Sequence, residues 1–142
     1  MPKAKLQVWR GDKDGQYQDY EVEYEEGMVI LDVVHKLQAT QVTDLAVRWN
    51  CKAGKCGSCS AEINGKPVLQ CMQRMEIYPE DEIISIAPLK TFPLIRDLVT
   101  DVSWNYQKAK TMPEIKLQPA DIDGNHRMNQ IDVDRGQEFR KC

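Results

Sequence analysis

Cys51-Lys52-Ala53-Gly54-Lys55-Cys56-Gly57-Ser58-Cys59 is the stretch on which the reading of this chain turns, and Cys71 completes it after eleven intervening residues. Three thiols within nine residues can wrap one small inorganic centre, provided the backbone between them bends tightly. Gly54 and Gly57 supply that freedom. With no side chain in the way, the amides of the loop, Ser58 included, can approach sulfur atoms that carry negative charge. The spacing C-x4-C-x2-C, followed by a more distant cysteine, is that of a 2Fe–2S site. Cys51, Cys56, Cys59 and Cys71 are therefore the candidate ligands, with Gly54, Gly57 and Ser58 as backbone contacts to the cofactor.

Two other uses of cysteine compete. A structural zinc site also takes four thiolates, but usually as two separated C-x2-C knuckles, and here only Cys56 and Cys59 have that spacing. A disulfide framework fits poorly with five cysteines, an odd number. The opening Met1-Pro2-Lys3-Ala4-Lys5 runs straight into a strand pattern, which leaves no room for a targeting peptide. Thiols that must stay reduced point to the cytosol. A net charge of −3, from 19 basic and 22 acidic residues, comes with no basic stripe interleaved with aromatics, so no nucleic-acid partner is expected. Apolar runs are far shorter than the roughly 20 residues needed to span a bilayer. At 142 residues, 42% of them hydrophobic, the chain is one domain or one domain with an appendage.

Outward from the cysteines the pattern reads as alternating strands around one helix. Ala4, Leu6 and Val8 alternate with polar neighbours, and Tyr20, Val22 and Tyr24 do the same after a turn at Gly11–Gly15. Asp19, Glu21, Glu23 and Glu25 fall on the opposite, solvated face. Ile30, Val33, Val34 and Leu37 have the spacing of a helix over Val29–Thr40, with His35 off the apolar stripe and read as a surface side chain. Asn64-Gly65 is a hairpin signal between Ala61–Ile63 and Val68–Leu69, and such a hairpin returns Cys71 toward the loop. Ile83, Ile84 and Ile86 form a last strand. The expected fold class is α+β: a β-grasp 2Fe–2S ferredoxin-like domain over 1–90. Ile95, Leu98, Val99, Val102 and Tyr106 predict an amphipathic helix from Pro93 to Lys108, a connecting segment over 91–110. An extended, polar arm follows over 111–142, with Pro113, Pro119, Gly124 and a solvated His126.

Cys51 to Cys59, then Glu62-Ile63-Asn64-Gly65-Lys66-Pro67 and Cys71, together resemble the iron–sulfur subunit of succinate dehydrogenase and fumarate reductase, in its N-terminal domain. The short gap to the fourth cysteine and the passage Pro88-Leu89 … Phe92-Pro93-Leu94-Ile95-Arg96-Asp97-Leu98-Val99 carry the same resemblance. Lys52 stands where that family commonly has arginine, which keeps the charge and loses the planar fork. Relatives continue into a helical domain with a 4Fe–4S and a 3Fe–4S cluster. Gln137–Cys142 resembles the run-up to that domain, so this stretch of chain is expected to hold one 2Fe–2S cluster only.

What the resemblance implies is an electron-transfer subunit without bond chemistry of its own. Its partners would be an FAD-containing flavoprotein that interconverts succinate and fumarate, membrane anchor subunits, and quinone downstream. Its location would be cytoplasmic and peripheral, on the inner face of the cell membrane. An independent soluble 2Fe–2S ferredoxin is the alternative, and stable association with a flavoprotein separates the two.

Overall fold

The computed structural model describes residues 2–112 together with 130, 131, 133 and 134. The expectations made for Pro113, Pro119, Gly124, His126 and Cys142 lie outside the described residues. The chain divides into two compact units, Met1–Gln107 and Lys108–Cys142, and the architecture below belongs to the first.

Alternation of apolar and polar residues makes β1 (Lys3–Arg10) and β2 (Gln16–Glu23) an antiparallel hairpin, with Ala4, Leu6, Val8 and Val22 turned inward. Helix α1 (Ile30–Thr40) begins where Asp32 accepts a hydrogen bond from the Val29 N–H at 3.2 Å. Strands β3 (Ser60–Ile63) and β4 (Lys66–Leu69) are joined by Asn64 and Gly65 at φ 50° and 75°, the left-handed pair that a tight hairpin turn requires. Strand β5 (Ile83–Ala87) runs parallel to β1 and antiparallel to β3, which gives a five-stranded mixed sheet in the order β2-β1-β5-β3-β4. Ile30, Val33, Val34 and Leu37 of α1 pack with Leu6, Val8, Ile63, Ile84 and Ile86 in one core. This is the β-grasp arrangement that the sequence pattern implied.

The helix expected from Pro93 to Lys108 is only partly present. Leu94–Arg96 (β6) and Val99–Thr100 (β7) form a small antiparallel hairpin, and α2 starts at Ser103 and ends at Lys110. Of the five residues with helical spacing, only Leu98 enters the core; Ile95 and Tyr106 are exposed. Local spacing loses here to a tertiary contact. Asp97 turns the hairpin at φ 49° and is buried. Its carboxylate accepts N–H bonds from Gly11 at 2.7 Å and Ala46 at 2.8 Å, and lies 3.4 Å from the Arg10 guanidinium. Backbone bonds run alongside: Asp97 N–H donates to the Gly11 carbonyl, and Leu98 N–H to the Ala46 carbonyl. Arg48 donates to the Thr100 carbonyl at 3.0 Å. The hairpin thus straps residues 44–48, the stem that enters the cysteine loop.

Removing a buried carboxylate that answers two amides leaves both without an acceptor, and leaves the Arg10 guanidinium with Asp44 alone. Asp97→Ala should lower unfolding stability by about 3–5 kcal/mol, with Asp97→Asn milder because it retains an acceptor oxygen. Denaturant unfolding checks this, and a change within about 1 kcal/mol for the alanine variant would mean that the strap holds little.

Candidate functional site

The cysteine loop is shaped by three left-handed residues, Lys52 (φ 52°), Gly54 (φ 66°) and Gly57 (φ 73°). Their effect is to turn amides toward sulfur. The N–H groups of Ala53, Lys55 and Cys56 all donate to Cys51 Sγ at 3.3 Å. Ser58 N–H donates to Cys56 Sγ at 3.4 Å. Gly54 and Gly57 enable these bonds and donate none of them, whereas the Ser58 N–H does reach a cysteine sulfur. The Ser60 side chain and N–H both bond to the Gly57 carbonyl, which fixes the exit of the loop.

The four thiols divide into two pairs. Cys51 and Cys56 lie toward solvent, half-buried and exposed respectively, and the Cys56 N–H donates to the Cys51 sulfur. Cys59 and Cys71 are buried, in a small apolar cluster with Leu31 of α1 that is flanked by Val29, Val47 and Leu69. The β3–β4 hairpin brings the second pair together, with Gln70 N–H donating to the Cys59 carbonyl at 3.3 Å and Cys71 following in a 3-10 turn, Gln70–Met72. The Ser58 hydroxyl, with amide donors, pulls the Cys56 thiol down to about 6. Burial pushes the Cys59 thiol up, partly offset by a hydrogen bond from the Cys71 backbone.

Side chains that sequence spacing did not single out surround the loop. Leu31 falls beside the apolar stripe rather than on it, yet it is fully buried against the second thiol pair. Met72 lies over Gly54, where an added Cβ would meet its sulfur at 2.8 Å. His35, read as a surface residue, is half-buried with its ring 4.9 Å from that of Trp49. Burial, aided by the Lys52 charge, holds its pKa below the ordinary histidine value. Neighbours far apart in sequence gave no local signal; only the adjacency of Leu31 and Trp49 to marked positions hinted at them.

With this geometry in view, the comparisons with known proteins are informative. Residues 5–107 match the family described as 2Fe-2S iron-sulfur cluster binding domain, and the chain belongs to that family. Among its relatives are iron–sulfur subunits. It is 31% identical over 132 residues to the fumarate reductase iron-sulfur subunit of Mycobacterium tuberculosis, covering 89% of this chain and 52% of the relative. It is 31% identical over 133 residues to the mitochondrial succinate dehydrogenase [ubiquinone] iron-sulfur subunit of Candida glabrata, covering 90% and 52%. A chain in the solved Mycobacterium smegmatis Sdh1 complex in the apo form is 60% identical, with a TM-score of 0.88 over 99% of this chain and 59% of that one. The chain spans about half the length of these curated relatives.

The two loop glycines differ in what surrounds them. An added Cβ at Gly57 meets no protein atom within 4 Å, whereas at Gly54 it meets Met72. Gly57→Ala should therefore cost only the left-handed strain, about 1 kcal/mol, and Gly54→Ala somewhat more, because the exposed and flexible Met72 side chain must swing aside. Thermal unfolding of the two variants side by side tests the order, and equal losses would show that the Met72 contact is immaterial.

Proposed function

We propose that Cys51, Cys56, Cys59 and Cys71 hold one 2Fe–2S cluster, and that the chain is the electron-transfer part of an iron–sulfur subunit of the succinate dehydrogenase and fumarate reductase class. The observation that carries the site is the pairing of the thiols. Two irons need two protein thiolates each, whereas a single zinc ion needs all four at one point. Among the described residues, no three histidine, cysteine or carboxylate side chains gather closely enough to hold a single metal ion. The donor set fits the two-iron centre. The subunit reading is supported by the 60% identity to a chain of an Sdh1 complex across nearly all of this sequence.

Bound there, a 2Fe–2S cluster supplies reversible one-electron transfer. The residues set the terms. Four amide N–H groups, from Ala53, Lys55, Cys56 and Ser58, stabilise negative charge on Cys51 and Cys56. Leu31, Val47 and Leu69 keep water from the Cys59 and Cys71 side. Lys52 and Lys55 add cations to the solvent side, so the loop favours the more negative charge state. In the whole protein this domain would receive electrons from an FAD-containing flavoprotein and pass them toward quinone through further clusters and membrane anchor subunits. It would lie peripherally on the inner, cytoplasmic face of the membrane. Among the described residues no helix is long and apolar enough to cross a membrane.

Anaerobically prepared protein should contain about two irons and two acid-labile sulfides per chain. It should also co-purify with a large flavoprotein. A colourless zinc protein would sink the site assignment, and a loaded protein that stays a lone monomer in its native extract would point to an independent carrier. Replacing Lys55 with glutamate reverses a loop charge, so the midpoint potential should fall in a redox titration. A potential unchanged or raised would refute the role given to the loop cations.

A further inference from the structure

Lys52 presents a contradiction within the loop. It sits in the left-handed region at φ 52°, where glycine is the cheaper residue, and glycine indeed stands at the other two left-handed positions. A long side chain kept at such a place calls for a contact that glycine cannot make. Two contacts are present. The ammonium lies 3.4 Å from Asp32 Oδ1 in the first turn of α1, and 5.0 Å from the centre of the Trp49 ring. The other oxygen of Asp32 is held by the Val29 N–H, so the carboxylate is itself fixed. One helical turn on, His35 meets the Trp49 ring edge-on at 4.9 Å.

Trp49 and Lys52 flank Cys51 on either side in sequence. Both are gripped by residues three apart on one face of α1. We infer that Asp32 and His35 form a bracket on α1 that holds Trp49 and Lys52, and that Lys52 is the positioning residue for Cys51 and the three amides that converge on its sulfur. The inference rests on the cluster reading above and deepens it. The left-handed residues bend the loop so that three donors lie at 3.3 Å from one sulfur, and the two flanking side chains anchor that shape to a rigid helix. Each contact is half-exposed and modest, so the bracket acts on the geometry of the site more than on global stability.

The test uses the full chain with its cluster in wild type, Lys52→Gly, Lys52→Arg, Trp49→Ala and Asp32→Asn. Glycine accepts the local φ, and asparagine keeps an acceptor for the Val29 N–H, so both variants should fold with wild-type far-ultraviolet circular dichroism. Lys52→Gly should speed iron loss to a chelator roughly three- to tenfold. It should also lower the midpoint potential and shift the electron paramagnetic resonance spectrum of the reduced protein. Trp49→Ala and Asp32→Asn should move the same readouts in the same direction, and Lys52→Arg should restore them. Loaded Lys52→Gly protein with wild-type loss rate, potential and spectrum overturns the inference alone, as does a defect that arginine fails to rescue. A wild-type chain without iron overturns the cluster reading and this inference with it.

Discussion

Amide groups can serve sulfur only if the backbone between two close cysteines doubles back on itself, and Lys52, Gly54 and Gly57 make it do so. Gly54 and Gly57 take this conformation without steric cost, but Lys52 does so at the expense of strain. The folded protein recovers part of that through N–H bonds from Ala53, Lys55 and Cys56 to Cys51 Sγ, and from Ser58 to Cys56 Sγ. A sulfur atom is a weak acceptor as a thiol and a strong one as a thiolate, so these bonds gain most when the sulfur is charged. The conformation of the loop is thus tied to the ionisation of its thiols. The Ser58 hydroxyl, and after it the amides, lower the Cys56 thiol to about 6 in the same way.

The rest of the fold supplies two fixed ends for that loop. At the entrance, the β6–β7 hairpin holds Ala46 through Asp97 and Leu98, and Thr100 receives Arg48. At the exit, Ser60 is bonded to Gly57 and begins β3, whose partner β4 returns the chain to Cys71. The Asn64–Gly65 turn therefore acts at a distance: its tight geometry fixes the register in which Leu69 faces Ser60, and so places Cys71 beside Cys59. A slip of one residue would move Leu69 off Ser60 and displace the 3-10 turn that carries Cys71.

Most of the fold was legible because its signals are periodic and local. Alternation in Ala4, Leu6 and Val8, the helical spacing of Ile30 to Leu37, and Asn64–Gly65 each depend on residues within a turn or two of one another, and each forms the expected element. The stretch after Pro93 failed for the complementary reason. Ile95, Leu98, Val99 and Val102 share helical spacing, but Ile and Val are at home in strands, and the deciding contacts of Asp97 reach to Gly11 and Ala46. No window of sequence contains those partners. The site divides similarly. The thiol positions are a local spacing, whereas Leu31, His35 and Met72 come to the loop only through the docking of α1 and the return of β4.

Helix α1 shows why a single apolar stripe understates what a buried helix does. At about 100° per residue, Ile30, Val33, Val34 and Leu37 occupy one arc and fill the core against the sheet. Leu31 lies just around from that arc and meets Cys59 and Cys71; His35 and then Asp32 lie further round and meet Trp49 and Lys52. Successive sectors of one helix thus address the core, the buried thiol pair and the flanks of Cys51 in turn. A period-based reading detects only the first sector, since the second is one residue wide and the third is polar or aromatic. Because all three are rigidly linked through one backbone, a shift of α1 that repacks the core must also move Leu31, Asp32 and His35 relative to the loop. Core packing and the geometry around the thiols are for that reason not separable in this protein.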